Sequence, residues 1–476
     1  MNEENYEKFR EHVSTAAEKF KQLDENETVR IISHYDADGI SSASILVKLM
    51  NLLKRKYALS IVQQLNKQVL KELSNEEYKI YIFSDLGSGQ YEFIKEILKD
   101  RSIFILDHHI SKSKDFEKDN IVQLNPHLSG IDGGMDISGA GVCYLFGKEL
   151  DSRMEKMSHI ALIGAIADNQ TKNGLSKLNN EILQAAVKAG KIEIKKGPRF
   201  FGMQTKPLYK LLQYSTDPYI PEITGSENNS IQFLKDVGIN PKTPTGWKKA
   251  VELTEEEMEK LTKGIISKRK EEIKPEDIYT NHYILTDEED GSPLRDAREF
   301  STLLNACGRM DKSSLGIGTC IGDEKMKKAA VFLLEDYRNK IIEAVKWYEE
   351  NKRSNDVISE DGFVIINLKD DVTSSISGTL ASVLSTYKEI KKGTYIMTMA
   401  RNFENKTTKI SMRIAHDKKG CNVKDILEKI AENFDHMEYG GHEKAAGALF
   451  STEKEKEFIE SATLILRDRI FEESVS

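Results

Sequence analysis

Cysteine is scarce in this sequence of 476 residues: Cys143, Cys307, Cys320 and Cys421 lie far apart, with no CxxC pair among them. That spacing argues against a disulfide framework and against a cysteine zinc site, so the four read as ordinary intracellular thiols. Long apolar runs are also missing. No stretch approaches the roughly 18 apolar residues that a membrane span requires. The opening MNEENYEKFREHVSTAAEKF reads as a charged amphipathic helix without the apolar core of a secretion signal. These absences predict a soluble, cytoplasmic protein with no membrane partner. Positive charge is not in excess either: the net charge is −8. The chain therefore has no global attraction for nucleic acid, and any such binding needs a local basic groove. There is no short repeat and no low-complexity tract.

The length is about three times that of a typical domain and predicts two or three packed units. From Thr28 to about Asp168, apolar β-type runs (TVRIIS, YKIYIFS, SIFILD, NIVQLN) alternate with helical stretches such as SASILVKLMNLLKR and QYEFIKEILKD. Strands alternating with helices imply βαβ units and a parallel sheet. From roughly Leu175 to Asp290 the pattern is mainly helical and polar, and a long helix is expected across DEKMKKAAVFLLEDYRNKIIEAVKWYEENK. The β/α alternation then resumes. The predicted class is α/β: an N-terminal parallel-sheet domain over 1–185, a mainly helical insertion and connecting region over 186–350, and a smaller α/β domain over 351–476.

In an open parallel sheet, ligands gather where loops splay at the carboxyl ends of the strands. The predicted strands end in metal-ligand chemistry: His34, Asp36 and Asp38 after RIIS, Asp85 after IYIFS, and Asp107, His108 and His109 after IFIL. The apolar run HIALIGAIADNQ stops at Asp168. Any one of these alone reads equally as a cap or a turn; four such ends in one sheet read as a site. His34, Asp36 and Asp38 are expected on an extended segment, pointing the same way, before Gly39 turns the chain into a helix.

Imidazoles with carboxylates suit Mn²⁺, or Mg²⁺ at the oxygen-rich positions. Two ions about 3.5–4 Å apart need a bridging carboxylate and serve in-line attack of an activated water on phosphorus. Asp85 is the natural bridge. His34 and Asp36 would hold one ion, and Asp38, His108 and Asp168 the other. Asp107 either ligates or orients a histidine, and His109 is placed to approach the phosphate or the leaving oxygen.

At these residues the sequence resembles the DHH phosphoesterase superfamily, through SHYDADG, SDLGSG, LDHH and GAIADNQ in the family's order and spacing. KISMRIAH and GGHEKAAGALF resemble the associated DHHA1 domain, whose glycine-glycine-histidine motif contacts substrate phosphate. REFSTLLNACGRMDKSSLGIGTCIGD resembles the RecJ branch, where an LNACGR-type segment supplies a substrate-binding arginine, here Arg309. The likeness covers nearly the whole chain and is strongest to archaeal RecJ-type nucleases, including the GINS-associated nuclease. Bacterial RecJ has a further aspartate where this chain has His34 and a histidine where it has Ile32, which leaves the division of ligands between the ions open. No C-terminal OB-type domain is evident, so a grip on single strands must come from elsewhere.

The resemblance implies a two-metal, Mn²⁺- or Mg²⁺-dependent exonuclease on single-stranded DNA or RNA, releasing mononucleotides in replication or repair. Two other readings stand beside it: a replisome scaffold binding GINS and the replicative helicase with little or no hydrolysis, and a phosphoesterase of short oligonucleotides or a bisphosphonucleotide. In the C-terminal domain, Ser411 and Arg413 are two apart in a strand and share a face, making a small phosphate cradle. Gly440 and Gly441 allow close backbone approach, and their N–H groups with His442 could bind a phosphate oxygen; a tight turn before a small-residue helix is the plainer reading. Arg309 could fork onto a phosphate or simply cap a helix. The basic segments KIEIKKGPRF and KGIISKRK are candidates to line the strand's path, although few aromatics punctuate them.

Overall fold

The computed structural model describes residues 3–171, 174–402, 406–416, 420–435 and 437–475. The chain divides into two compact units, Met1–Leu333 and Leu334–Ser476. The first is built on β1 (Val29–His34), β2 (Tyr57–Val62), β3 (Ile80–Ser84), β4 (Ser102–Leu106), β5 (Glu117–Lys118) and β6 (Ile121–Leu124). They form one sheet in the order β2-β1-β3-β4-β6-β5, parallel throughout except for the short edge pair β5/β6. β3 and β4 are almost wholly buried apolar runs, and β1 is buried too although it carries Arg30, Ser33 and His34, as strands covered by helices on both faces are.

One face packs Ile32, Phe83 and Ile105 against Leu70 and Leu73 of α3 (Lys67–Ser74) and Tyr91 and Ile94 of α4 (Tyr91–Ile97). The other face carries α1 (Glu3–Lys21), α2 (Ala37–Leu53) and α5 (Gly139–Leu150), with α6 (Ser158–Ala167) packed on α2 and α5. From β1 the chain crosses to β2 on one side and then to β3 on the other. The strand order therefore reverses between β1 and β3, the kind of point at which ligands bind in such sheets.

After α7 (Lys177–Lys188), the middle region contains an antiparallel ribbon of β7 (Ile192–Pro198) and β10 (Tyr279–Leu285). Between these strands lies a mainly helical module with α8 (Leu208–Gln213), α9 (Glu227–Asp236), the small hairpin β8 (Lys242–Thr243) and β9 (Gly246–Trp247), and α10 (Glu255–Lys268). It has its own core, including Leu208, Leu212, Phe233, Leu261 and Ile278. Next come α11 (Ala297–Arg309), α12 (Ser313–Ile321) and the expected long helix, α13 (Glu324–Asn351). The buried stripe of α13 includes Ala330, Leu334, Tyr337, Ala344 and Tyr348, whereas Ile342, which shares the apolar spacing, is exposed.

The second unit carries β11 (Val357–Glu360), β12 (Phe363–Asn367), α14 (Ser374–Leu384), β13 (Tyr395–Asn402), β14 (Thr407–Ile414), α15 (Val423–Ala431), β15 (Glu438–His442), β16 (Ala445–Ser451) and α16 (Glu455–Val475). Its mixed sheet runs β11-β12-β13-β14-β16-β15. Ile410, Met412, Ile414 and Phe450 form its core with Ile426, Leu427, Phe458 and Leu466. The four cysteines are buried and free. Among the described residues, no helix is long and apolar enough to cross a membrane.

Candidate metal centre

The carboxyl ends of β1, β3 and β4 lie side by side, and four separate stretches of sequence meet there. Asp85 follows β3 with φ 57°, in the left-handed region, while its N–H still donates to the Leu106 carbonyl. Holding a non-glycine residue in that conformation costs of order 1 kcal/mol or more, and such costs concentrate at functional sites. The Asp85 carboxylate faces both imidazoles of the cluster: Oδ2 is 3.6 Å from His34 Nδ1, and Oδ1 is 3.3 Å from His108 Nε2. His34 Nδ1 lies 3.0 Å from Asp36 Oδ2, and His108 Nε2 lies 3.2 Å from Asp168 Oδ2 and 3.8 Å from Asp38 Oδ2. Two groups that could each hold a metal ion result, His34/Asp36/Asp85 and Asp38/His108/Asp168; a third, Asp85/Asp107/His108/His109, overlaps both.

One expectation is corrected. His34, Asp36 and Asp38 do not lie on a single extended segment. β1 ends at His34, Asp36 is the N-cap of α2 and accepts the Gly39 N–H, and Asp38 sits in the first helical turn. A helix start winds the chain at this point, so the three side chains converge by curvature rather than by strand alternation. Gly39 is required for a different reason from the one expected: a Cβ there would lie 2.2 Å from the His34 carbonyl oxygen.

Both carboxylate oxygens of Asp85, Nδ1 of His34 and Nε2 of His108 are buried without a partner in hydrogen-bonding geometry. Buried polar atoms left in this state are costly unless something charged and complementary sits among them. Burial, together with repulsion from Asp85 and Asp36, pushes the Asp168 carboxyl up to about 7 even though His108 pulls it down. Burial opposes charge on His34 and His108, but the surrounding carboxylates hold both rings well above the ordinary histidine range. A cluster that gathers protons in this way is one in which a divalent cation would take their place. Its imidazole nitrogens and carboxylate oxygens fit such an ion.

A surrounding layer fixes these groups. His108 Nδ1 is 2.8 Å from the Gly133 carbonyl, so Nδ1 carries a proton and Nε2 is the nitrogen that faces the acids. Gln170 donates to the same carbonyl and is itself held by Asn179. Asp107 accepts from the backbone N–H groups of Ser88 and His108 and lies 2.8 Å from His109 Nδ1. Burial would raise the Asp107 carboxyl, but the two histidines and the Ser88 amide keep it well below the usual range. In this geometry Asp107 orients His109, and it also belongs to the third group that could hold an ion. Burial pulls His109 down, yet Asp107 holds it at about 9; its side chain, 44% exposed, is the outermost of the set.

Sequence reading missed the groups that hold Asp38. Its two carboxylate oxygens accept from Gly139 N and Ala140 N, at 2.7 and 3.0 Å, at the start of α5. Gly139 and Gly164 allow this approach: a Cβ would lie 2.7 Å from Asp85 Oδ1 at the first and 2.2 Å from Asp38 Oδ1 at the second. The available signal was DISGAGV, a serine cap followed by small residues.

The remaining predicted residues lie elsewhere. Arg309 closes α11, beside Gly308, where a Cβ would lie 1.7 Å from the Tyr35 carbonyl oxygen, so this helix end abuts the loop that carries Asp36. In the second unit, Ser411 and Arg413 do share a face of β14. That face is covered by α14: Arg413 Nε donates to Ser382 Oγ at 3.1 Å, and Gly378 lies against Ser411. Gly440 and Gly441 are neither in a turn nor before a helix. They belong to edge strand β15, where Gly440 pairs with Gly447, the residue that pairs with Ser411 on its other side. The side chain of His442 lies outside the described residues.

Comparison with known proteins agrees with this architecture. Residues 28–167 match the DHH family, N-terminal domain, 200–278 the DHH-CID domain, and 360–468 the DHHA1 domain. The uncharacterized protein MJ0831 of Methanocaldococcus jannaschii is 32% identical over 463 residues, covering 96% of this chain and 97% of the relative. The chain belongs to the DHH superfamily, whose members are phosphoesterases. Its fold is similar to that of exonuclease RecJ bound to manganese (15% identity, 96% of this chain and 94% of that one, TM-score 0.57). It is also similar to that of CDC45 from Entamoeba histolytica (13% identity, 98% of each chain, TM-score 0.64).

Proposed function

We propose that the protein is a cytoplasmic, divalent-metal-dependent exonuclease that hydrolyses single-stranded DNA or RNA to mononucleotides in replication or repair. The observation that carries this reading is the buried Asp85 carboxylate, which faces His34 on one side and His108 on the other with neither oxygen hydrogen-bonded. In this reading Asp85 would be shared between two ions, one held with His34 and Asp36 and the other with Asp38, His108 and Asp168. Two divalent ions bound there would activate an attacking water and offset charge developing at phosphorus. His109, fixed by Asp107 and carrying a proton, is assigned to the phosphate or the leaving oxygen. Arg309, Ser411, Arg413, the Gly440 and Gly441 backbone and His442 are assigned to neighbouring phosphates. Manganese is favoured as the ion by the imidazole content of the site and by the manganese bound to RecJ.

A GINS- and helicase-binding scaffold without hydrolysis is the weaker reading, because the whole ligand set is retained. The two roles are compatible in one protein. A substrate-length series tests the main proposal: a 20-mer single strand should be degraded with Mn²⁺ far faster than its duplex. Fast cleavage of dinucleotides with negligible action on the 20-mer would instead mark a short-substrate phosphoesterase.

A further inference from the structure

A cavity of about 830 Å³ opens in the first unit between the end of α6, the β7/β10 ribbon, the module between those strands and one side of α11. Its charge is unlike that of the whole chain. The lining holds four cations, Arg199, Lys206, Lys210 and Arg298, and one carboxylate, Asp217, in a protein of net charge −8. Aromatic rings stand among the cations. Phe201 is 43% exposed and Tyr214 61%. The Lys206 ammonium lies 4.8 Å from the Phe201 ring centroid, and Lys210 lies 5.4 Å from that of Tyr214. Arg199 already faces two carboxylates, Asp217 of the lining and Asp277, Lys210 faces Glu227, and Arg298 donates to the Thr280 hydroxyl.

The groove meets the metal cluster at two places. Asn169 lines it and directly follows Asp168. Asn305 lines it too, and its Oδ1 accepts the Ala37 N–H, next to Asp36. The geometry points to this groove as a binding track for a single-stranded polynucleotide, with bases stacked on Phe201 and Tyr214 and phosphates facing the cations. This rests on the nuclease reading for its substrate class, but it places a grip on the strand within the first unit. Exposed rings beside cations are what a sequence-tolerant single-strand site needs, since every base has a stacking face and every nucleotide a phosphate. A duplex keeps its base faces stacked on one another and cannot use the rings. Of the two basic segments suspected from sequence, KIEIKKGPRF supplies Arg199 to the groove, whereas in KGIISKRK Lys268 pairs with Glu222 and Arg269 donates to the Tyr219 carbonyl.

The test is fluorescence anisotropy of labelled dT20, rU20 and a 20-base-pair duplex with the 476-residue protein in EDTA, so that binding is read without turnover. We expect Phe201→Ala and Tyr214→Ala each to weaken dT20 or rU20 binding about tenfold. Phe332→Ala, which removes a ring 72% exposed on α13, should leave binding unchanged. Lys206→Ala and Arg298→Ala should each reduce the slope of log affinity against log salt by about 0.7. The proposal is overturned if the wild-type protein binds neither single strand, if the duplex binds as tightly, or if both aromatic variants bind like wild type. Loss of binding in those variants, with no hydrolysis by the wild type in Mn²⁺, would keep the groove and remove the nuclease. Wild-type hydrolysis of dT20 by both aromatic variants would do the reverse.

Discussion

The two sheets of this protein present polar residues in opposite states. At the carboxyl ends of β1, β3 and β4, buried acids and imidazoles face one another with Asp85, His34 and His108 atoms left without hydrogen bonds. On β14, Arg413 is already engaged, donating to Ser382 Oγ and to the Met412 carbonyl. The first arrangement has the charge and donor set to take a cation. The second holds Arg413 in a fixed position against α14. A ligand-type residue in a sequence is therefore informative chiefly when its partners in the fold leave it unsatisfied.

Variants should separate the two regions. The largest effect is expected for Asp85→Ala. Divalent metal at about one hundred times its dissociation constant should stabilise the wild type by about 2.7 kcal/mol, and this gain should vanish in the variant, as read by the metal-induced shift in Tm. Gly164→Ala should come next, because its Cβ would collide with Asp38 Oδ1 and Ala140 Cβ. Overpacking of this kind costs about 1–3 kcal/mol, and displacement of Asp38 should lower metal affinity by about tenfold or more. Calorimetric metal titration checks the second effect, and a Gly164→Ala protein with wild-type affinity would show that Asp38 is not a ligand. Arg413→Ala should raise KM on a single strand while leaving metal affinity unchanged; equal loss of metal binding would erase the contrast between the sheets.

The pH dependence sharpens the same comparison. The Asp168 carboxyl is raised in the folded state to about 7, above its unfolded value of about 3.9. Its contribution to stability is therefore full below about pH 4 and is lost as pH rises through about 7. His34 and His108, also raised, act in the same direction at higher pH. Metal-free protein should lose stability from this cluster between about pH 4 and 7, and metal affinity should rise over the same range as bound protons are released. Titrations in buffers of different ionisation enthalpy would count those protons. The smallest effect is expected at Ser138, whose Oγ accepts from Gly141 N at the start of α5. Ser138→Ala should cost about 1 kcal/mol in denaturant unfolding.

Much of the site was legible because the chemistry sits at the ends of strongly patterned elements. Asp85, Asp107, His108 and His109 follow apolar strands and Asp168 follows an apolar helix, so ligand-type residues at patterned element ends, together with the family resemblance, pointed to them. Asp36 and Asp38 were identified, but their geometry was not, since a cap and a first-turn residue look like strand alternation over three positions. β2 was missed because all of its residues are only half-buried, which blurs the alternation. β7 was missed because Glu193 to Lys196 are exposed on both faces of the ribbon, so its segment reads as a charged surface. The amides of Gly139 and Ala140 that hold Asp38 are 101 and 102 residues distant in sequence. No local pattern joins them; only the fold does.

The central claim is that Asp85 joins two metal sites in a nuclease. Its most direct test is digestion of an end-labelled 20-mer single strand with Mn²⁺ by the wild type and by Asp85→Ala. Mononucleotides are expected from the wild type, and at least a roughly thousandfold slower reaction from the variant. An intact strand with the wild type, or a near-normal rate with Asp85→Ala, would contradict it.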